Sequence, residues 1–149
     1  MAETIRVGTF AELGEYARQV RTAVFIVEQE IDEAEEWDEF DEAATHVVVF
    51  DDDIPVATGR IAFIDRSYHL GRIATLKKFR NNDYGSRVME ALMDCAVKND
   101  IPCLELHAQT HAIDFYKKFG FTPFGDIFLE AGIEHVKMMK VNIQNEDSR

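Results

Sequence analysis

The fold is decided by the segment GRIATLKKFRNNDYGSRVMEALMDCAVKNDIPCLELHA, residues 71–108. A β-branched stretch, residues 68–76, leads into it as a strand, and a polar loop follows at residues 80–85. Apolar residues then recur at helical spacing over residues 88–96, and residues 103–108 alternate as in a strand. The order strand, loop, helix, strand predicts two parallel strands joined by a right-handed crossover.

Upstream of this unit the pattern predicts one helix and two further strands. A capping box at residues 9–12 starts a helix whose apolar stripe reaches the mid-twenties. Residues 46–50 and 54–64 are predicted strands, and Gly59 marks a bulge in the second one. The connecting turns are too short for crossovers, so these two strands and residues 68–76 form an antiparallel meander.

Downstream, a short helix and a hairpin close the chain. The helix covers residues 112–119, and Gly120 stops it because glycine suits the left-handed position after a helix. Two closing strands follow at residues 125–129 and 133–140. The element order predicts the α/β (α+β) class, with a central mixed, mostly antiparallel sheet flanked by helices.

Length and composition predict one soluble domain over residues 1–149, with a frayed tail at 144–149. A signal-peptide pattern and a membrane span are both missing from the sequence, which predicts a cytoplasmic protein without a membrane partner. The net charge of -12 argues against nucleic acid and is compatible with a cationic substrate. Cys95 and Cys103 lack a neighbouring His/Cys cluster, so we expect buried free thiols rather than a disulfide or a zinc site.

Residues 28–42, which we call the acidic segment, hold ten acidic residues and no basic one. Such charge predicts a solvated face, either a loop or a short helix, that Trp37 and Phe40 pin to the body. The segment lacks the glycine-punctuated spacing of a calcium loop, so we predict no metal site. It is also a candidate for part of a substrate entrance that favours cations.

The polar loop at residues 80–85 is the strongest functional signal. The first N–H groups of a helix have no internal partner and carry the positive end of its dipole, so a pyrophosphate is a natural ligand there. Arg80 adds a charge-assisted contact. A plain strand-to-helix turn is the alternative, because Gly and Asn punctuate many such turns.

Two motifs around this loop resemble a known family. The run Arg80-Asn81-Asn82-Asp83-Tyr84-Gly85 is similar to the acyl-CoA motif Arg/Gln-x-x-Gly-x-Gly/Ala of the GNAT superfamily of N-acetyltransferases. The run Phe115-Tyr116-Lys117-Lys118-Phe119-Gly120-Phe121 resembles the family's Phe-Tyr-x-x-x-Gly-Phe segment. Both the order and the separation of the two motifs fit.

Other segments resemble the ElaA-like branch of that superfamily. They are residues 24–29, 41–46, 108–109 and 132–139. The resemblance extends from about Arg21 to Lys140. It implies a single-domain GNAT-like fold in which one parallel strand pair is splayed at the cofactor site.

The acyl-CoA motif departs from the family at Asp83, which replaces the first glycine, and at Asn81, where another glycine is common. Asn and Asp tolerate left-handed backbone angles, so the loop can keep its shape. A carboxylate near a pyrophosphate is repulsive, so either Asp83 points outward or the affinity for acyl-CoA is reduced. An alternative is therefore a non-catalytic domain that senses acyl-CoA or binds a basic partner.

The resemblance implies roles for individual residues, with acetyl-CoA as the co-substrate. Backbone groups along the edge of one strand would hold the pantetheine arm, and the loop would hold the pyrophosphate largely through its main chain. Tyr116 would protonate the departing thiolate; a half-buried aromatic residue is its alternative interpretation. The implied cofactor-binding residues are Ile73, Ala74, Thr75, Arg80, Asn81, Asn82, Asp83, Tyr84, Gly85, Ser86 and Gln109.

The acceptor amine must lose a proton before it attacks a thioester, which requires a base. Candidates are Glu28, His46, His107 and His135, although a satisfied structural role is commoner for each histidine. We prefer Glu28 and place His46 beside it in the catalytic set. Transfer is expected to be direct, in a ternary complex, to a small-molecule or protein amine. The sequence leaves the oligomeric state open, and a homodimer is compatible with it.

Overall fold

The computed structural model describes residues 2–144 as a seven-stranded mixed sheet with helices on both faces. The strands lie in the order β1-β2-β3-β4-β5-β7-β6. All neighbouring strands pair antiparallel except β4 and β5, which are parallel, as the sequence predicts. Strand bounds are β1 Glu3–Gly8, β2 Thr45–Asp51, β3 Ile54–Ile64, β4 Ser67–Thr75, β5 Leu104–Gln109, β6 Thr122–Glu130 and β7 Ile133–Lys140.

Helices on the two faces of the sheet complete the fold. Their bounds are α1 Phe10–Arg21, α2 Glu33–Glu36, α3 Tyr84–Lys98 and α4 Ile113–Lys117. The capping box at Thr9 and Glu12 is formed as predicted. The first helix passes into a π-helical stretch, Thr22–Glu28, so its helical path reaches beyond the mid-twenties. Gly120 has a φ of +90° after α4, which confirms its left-handed position.

Helices α1 and α3 cover opposite faces of the sheet. Alternate residues of β2 divide between them, because Val47 and Val49 share a core cluster with α3 while Val48 and Phe50 pack with α1. Gly59 lies at the predicted irregularity of β3, where a Cβ would approach Val88 Cγ1 to 2.7 Å. The glycine is therefore required by the close contact between β3 and α3.

Strands β4 and β5 meet at a single pair, His69 with Glu105, within residues 2–144. Beyond that point the two strands diverge toward their C-terminal ends. The splayed parallel pair that the resemblance implies is thus confirmed, and the separation creates an opening through the sheet.

The acidic segment corrects one sequence interpretation. It contains the predicted short helix, but Glu36 and Asp41 are each only 3% exposed, so the description as a solvated face is wrong for them. Arg21 contacts both carboxylates at 2.8 Å, and Arg60 contacts Asp41 at 2.7 Å. Arginines from α1 and β3 therefore supply the opposite charge that permits burial.

The rest of this ion-pair network lies closer to the surface. Asp38 binds Arg60 at 2.7 Å and Arg72 at 3.1 Å, and Arg72 also contacts Glu36 at 3.3 Å. The network thus joins three carboxylates of the acidic segment to arginines of α1, β3 and β4. Trp37 packs against Arg21, whose guanidinium carbon is 4.8 Å from the ring centroid.

Other expectations meet mixed outcomes. Strand β1 was not predicted. It is a short edge strand whose side chains are almost all exposed, although Ile5 and Val7 alternate with polar residues in the sequence. Both cysteines are free, but the expected burial is wrong, because Cys95 is only half-buried and Cys103 is exposed. The tail predicted at 144–149 lies outside the described residues except Gln144, which donates to the Ala96 and Ile101 carbonyls. Over residues 2–144, no helix has the length and apolar character needed to cross a bilayer.

Candidate active site

A cleft of about 980 Å³ occupies the opening between β4 and β5. Its walls come from both strands, the π-helical stretch, α4 and the β6–β7 turn. Alternation along β5 places Glu105, His107 and Gln109 in the cleft, while Leu104 and Leu106 enter the core beneath α3. The cleft is therefore continuous from the N-terminal end of α3 to the far side of the sheet.

The N-terminus of α3 lies at one end of this cleft. Asn81 and Asp83 have φ values of +67° and +64°, which confirms that the loop keeps left-handed residues at both positions. The amides of Tyr84, Gly85 and Ser86 stand in the first helical turn, where no preceding carbonyl of the helix reaches them. This backbone fits a diphosphate, because it offers adjacent donors at the positive end of a helix.

Two side chains shape the same end of the cleft. A Cβ on Gly85 would come within 3.3 Å of the Phe115 ring, so a larger residue there would require the ring to shift by a few tenths of an ångström. The exposed side chain of Asp83 makes no capping hydrogen bond, and it does not line the cleft. Asn82 holds the loop by donating to the carbonyls of Phe79 and Arg80.

The edge of β4 that faces the cleft carries Ile73, Ala74 and Thr75. On its other edge β4 pairs with β3 through Thr75–Ala57 and Ala74–Thr58. Beyond His69 the edge toward β5 makes no ladder pair within the described chain. An extended amide-bearing arm fits this edge, since it can take the place of a further strand.

Tyr116 enters the cleft from α4. Its ring packs beside Phe115 and Phe121 on the face of the sheet that α3 covers. Burial raises the pKa of Tyr116 to about 12. The phenol therefore stays protonated at neutral pH and can donate a hydrogen bond.

Glu28 also lines the cleft, at the end of the π-helical stretch, but Arg80 holds it. The guanidinium binds both carboxylate oxygens, at 2.6 and 2.7 Å, and its Nε donates to the Thr75 carbonyl at 3.0 Å. The hydrogen bonds from Arg80 lower the pKa of Glu28. In this state Glu28 is a weak base, because its lone pairs are engaged.

Gln109 lies in the cleft with its side-chain amide already paired. Gln109 and Gln29 exchange hydrogen bonds of 2.9 and 3.3 Å across the opening. His111 contacts the same Gln109 oxygen through Nε2 at 2.9 Å. The pair connects the π-helical stretch to β5.

His46 is not brought together with Tyr116 and Glu28. It is 1% exposed in β2, its Nε2 lies 2.9 Å from the Asp41 carbonyl, and its ring contacts Phe10. Burial lowers its pKa. The structure therefore gives His46 a position inside the body of the protein, away from the cleft lining.

A cluster of histidines and carboxylates was not recognised as a unit from the sequence. His107 Nδ1 lies 2.8 Å from Glu130 Oε1, and His135 Nε2 lies 3.8 Å from Glu130 Oε2. His69 Nε2 is 3.9 Å from Glu105 Oε2. The residues of each pair belong to different strands, so the sequence could not show that they are in contact. The alternation along β5 showed only that Glu105 and His107 share one face of the sheet.

Comparisons with known proteins agree with this geometry. The acetyltransferase (GNAT) domain family matches residues 13–142. The uncharacterized N-acetyltransferase YjcF of Bacillus subtilis (strain 168) is 40% identical over 122 residues, covering 81% of this chain and 87% of YjcF. Protein ElaA of Escherichia coli (strain K12) is 30% identical over 132 residues, covering 85% of this chain and 86% of ElaA.

Two crystal structures share the fold. An acyl-CoA N-acyltransferase from Pseudomonas aeruginosa gives a TM-score of 0.84 at 25% identity and covers 94% of this chain and 100% of that chain. Escherichia coli ElaA gives a TM-score of 0.82 at 26% identity and covers 92% and 99%. The family match extends over most of the chain, and the splayed strands and the α3 loop occupy the positions that the resemblance implies. The chain belongs to the GNAT acetyltransferase family and is an acetyltransferase.

Proposed function

We propose that this enzyme transfers an acetyl group from acetyl-CoA to a primary amine, by direct attack within a ternary complex. The observation that carries the proposal is the continuous cleft. It joins free helix N-terminal amides, an open β4 edge and a protonated tyrosine in one opening through the sheet. Acetyl-CoA supplies a thioester, whose carbonyl carbon accepts the amine.

The α3 loop and β4 bind and orient the donor. Amides of residues 84–86 hold the diphosphate, and the left-handed Asn81 and Asp83 turn the chain so that these amides converge. Backbone groups of residues 73–75 hold the extended arm. The thioester then reaches the level of Tyr116, since both surfaces line the same opening.

Tyr116 stabilises the departing sulfur as a hydrogen-bond donor. A thiol with a pKa of about 8.5 is a stronger acid than a phenol at about 12, so complete proton transfer to the thiolate is uphill by roughly 5 kcal/mol. We therefore assign the phenol the role of a donor that lowers the cost of the developing charge. The phenol gives its proton to sulfur only as it takes up the second proton of the amine, so no phenolate is formed.

Neither cysteine supports a covalent route. Cys95 lies in α3 and Cys103 just before β5, and both are outside the cleft lining. An acyl-enzyme on either residue would require the thioester to leave the site that the α3 loop and β4 build. Direct transfer in a ternary complex needs no such movement.

The charge of the cleft favours a cationic acceptor. Arginines neutralise Glu36 and Asp38, while Glu35 and Asp65 are exposed at the rim. Apart from its four histidines, the ionisable lining comprises seven carboxylates, Glu28, Glu35, Glu36, Asp38, Asp65, Glu105 and Glu130, and four basic residues, Arg60, Arg72, Arg80 and Lys137. A field of this sign raises the local concentration of ammonium groups.

Calorimetry with acetyl-CoA, followed by a thiol-release assay over a panel of amines, tests the proposal. We expect binding in the micromolar range and thiol release that depends on the amine. Binding without release from any amine would favour the acyl-CoA sensor. Failure of the folded protein to bind acetyl-CoA at millimolar concentration would refute both functions.

A further inference from the structure

His107 and Glu130 form a carboxylate–imidazole pair inside the cleft. Glu130 Oε1 lies 2.8 Å from His107 Nδ1, so the carboxylate accepts a hydrogen bond from Nδ1–H and fixes that tautomer. The opposite ring nitrogen, Nε2, has no hydrogen-bond partner among residues 2–144. The imidazole side chain is 32% exposed, so Nε2 is accessible from the cleft.

The carboxylate is itself held in place. The two histidines that contact Glu130 both pack on Phe128. The ring centroid of Phe128 lies 5.1 Å from that of His107, edge-on, and 5.9 Å from that of His135, stacked. His135 Nδ1 is engaged with the Ile133 carbonyl at 2.7 Å. The hydrogen bond from His107 lowers the pKa of Glu130, which therefore remains ionised at neutral pH.

The strand register places His107 at the level where the thioester is expected. His69 and Glu105 are the paired residues of β4 and β5, so His107 lies two residues farther along, level with Gly71, and Gln109 lies level with Ile73. Tyr116 packs on the α3 side of the sheet, whereas the alternation of β5 turns His107 to the α1 side. The two groups therefore approach the opening from opposite faces, as an acceptor and a departing thiol must.

The other candidate bases are less suited to take a proton from the acceptor. Glu28 is bound at both oxygens by Arg80, and His46 lies outside the cleft, where its Nε2 donates to the Asp41 carbonyl. His111 donates from Nε2 to Gln109, and no carboxylate of the described chain pairs with its ring. His135 donates from Nδ1 to the Ile133 carbonyl, and its Nε2 lies 3.8 Å from Glu130. Among these groups of the described chain, His107 combines a free ring nitrogen in the cleft with a carboxylate hydrogen-bonded to the opposite nitrogen.

We propose that His107, oriented by Glu130, is the base that takes the proton from the acceptor amine. The inference rests on the proposed acetyl transfer. One ammonium proton moves to His107 Nε2, the amine lone pair forms the new N–C bond, and the C–S bond breaks with its electron pair on sulfur. The second proton of the amine passes to sulfur through Tyr116, and His107 returns its proton to solvent. Glu130 is a positioning residue that stabilises the imidazolium.

Several charged groups face His107. Glu130 of β6 is hydrogen-bonded to its ring, and Lys137 of β7 lies directly opposite it in the register. His135 of β7 shares Glu130, and His69 of β4 lies 6.1 Å away, ring to ring, beside Glu105 of β5. Among these groups, Glu130 is the carboxylate in direct contact with the His107 ring.

The test compares wild type, His107→Gln, Glu130→Gln and the matched control Glu134→Gln, an exposed carboxylate outside the cleft. We expect H107Q to lower kcat/KM by about 10²–10⁴-fold and to remove the acidic limb of its pH profile, with the acetyl-CoA Kd unchanged within about twofold. E130Q should lower kcat/KM by less than H107Q does, whereas E134Q should match wild type. Imidazole ¹⁵N spectra should show the Nδ1–H tautomer of His107, and E130Q should lose it.

Each opposite result overturns the inference. If H107Q keeps the acidic limb and at least about a third of wild-type kcat/KM, or if the spectra show an Nε2–H tautomer, His107 is not the base. In those cases the proposed function survives, because wild type still releases thiol. If wild type releases no thiol with any amine, the proposed function and this inference fail together.

Discussion

Replacing Asp83 tests how this chain tolerates an acidic residue where its family has glycine. The residue has φ +64° and ψ +16°, is exposed, and makes no side-chain capping bond. Asp83→Asn keeps the preference for left-handed angles and removes only the charge. A unit charge about 8 Å from a phosphate at an effective dielectric of roughly 40–80 contributes about 0.5–1 kcal/mol of repulsion. We therefore expect D83N to tighten acetyl-CoA binding by about two- to fivefold.

Asp83→Gly adds a backbone effect to the same loss of charge. Left-handed angles cost an L-residue roughly 1–2 kcal/mol, and less for aspartate. Glycine avoids this strain, but its larger unfolded-state entropy costs roughly 0.5–1 kcal/mol of stability. The net gain of up to about 1 kcal/mol corresponds to a rise in Tm of about 1–4 °C for a domain of this length. D83G should therefore be more stable than D83N while binding acetyl-CoA about equally well.

The assays are calorimetric titration with acetyl-CoA at low and high salt and thermal unfolding without ligand. Asp100→Asn is the matched control, because Asp100 is also left-handed and exposed but follows the opposite end of α3. Its Kd should equal that of wild type, and the gain in D83N should shrink as salt screens the charge. A Kd for D83N equal to or weaker than wild type at low salt would refute the electrostatic reasoning.

Four other predictions concern the site and the body of the protein. Tyr116→Phe removes the donor to sulfur and should lower kcat by about 10²-fold in steady-state thiol release, with little change in the acetyl-CoA Kd. Asp41→Asn leaves Arg21 and Arg60 short of a buried partner and should lower the free energy of unfolding in urea by about 3–5 kcal/mol. Gly59→Ala forces β3 against Val88 and should cost about 1–3 kcal/mol in the same experiment, a result that a neutral effect would contradict. Burial raises the pKa of Asp41, but the contacts with Arg21 and Arg60 outweigh burial and lower that pKa overall. The stabilisation from Asp41 is therefore present above the unfolded-state pKa of about 4 and should be lost as pH falls below that value. A melting temperature that stays flat between pH 5 and pH 3 would disprove this.

Features set by neighbouring residues were predictable from the sequence. The capping box at Thr9 and Glu12, the irregularity at Gly59 and the left-handed Gly120 each follow from local backbone requirements. The crossover between β4 and β5 follows from the order strand, helix, strand. The left-handed residues Asn81 and Asp83 before α3 were predictable for the same reason, because a short run of residues forms that loop.

Features that need distant partners were not predictable. Glu36 and Asp41 look like surface charges in the sequence, since their arginine partners are 15 to 20 residues away or more. Glu130 and His107 are 23 residues apart, and they meet because the sheet order brings β5 and β6 to the two sides of β7. No local pattern encodes that strand order, so sequence reasoning preferred Glu28 as the base and did not recognise the pairing of His107 with Glu130.

The ion-pair network has a consequence for exchanging parts between relatives. Arg21, Arg60 and Arg72 come from three separate elements, yet all three depend on carboxylates of the acidic segment. If a shorter loop replaced this segment, the buried guanidinium groups of the remaining protein would lose their carboxylate partners. The acidic segment and the three arginines must therefore change together in evolution or in engineering, which makes this loop a poor cassette for altering acceptor specificity.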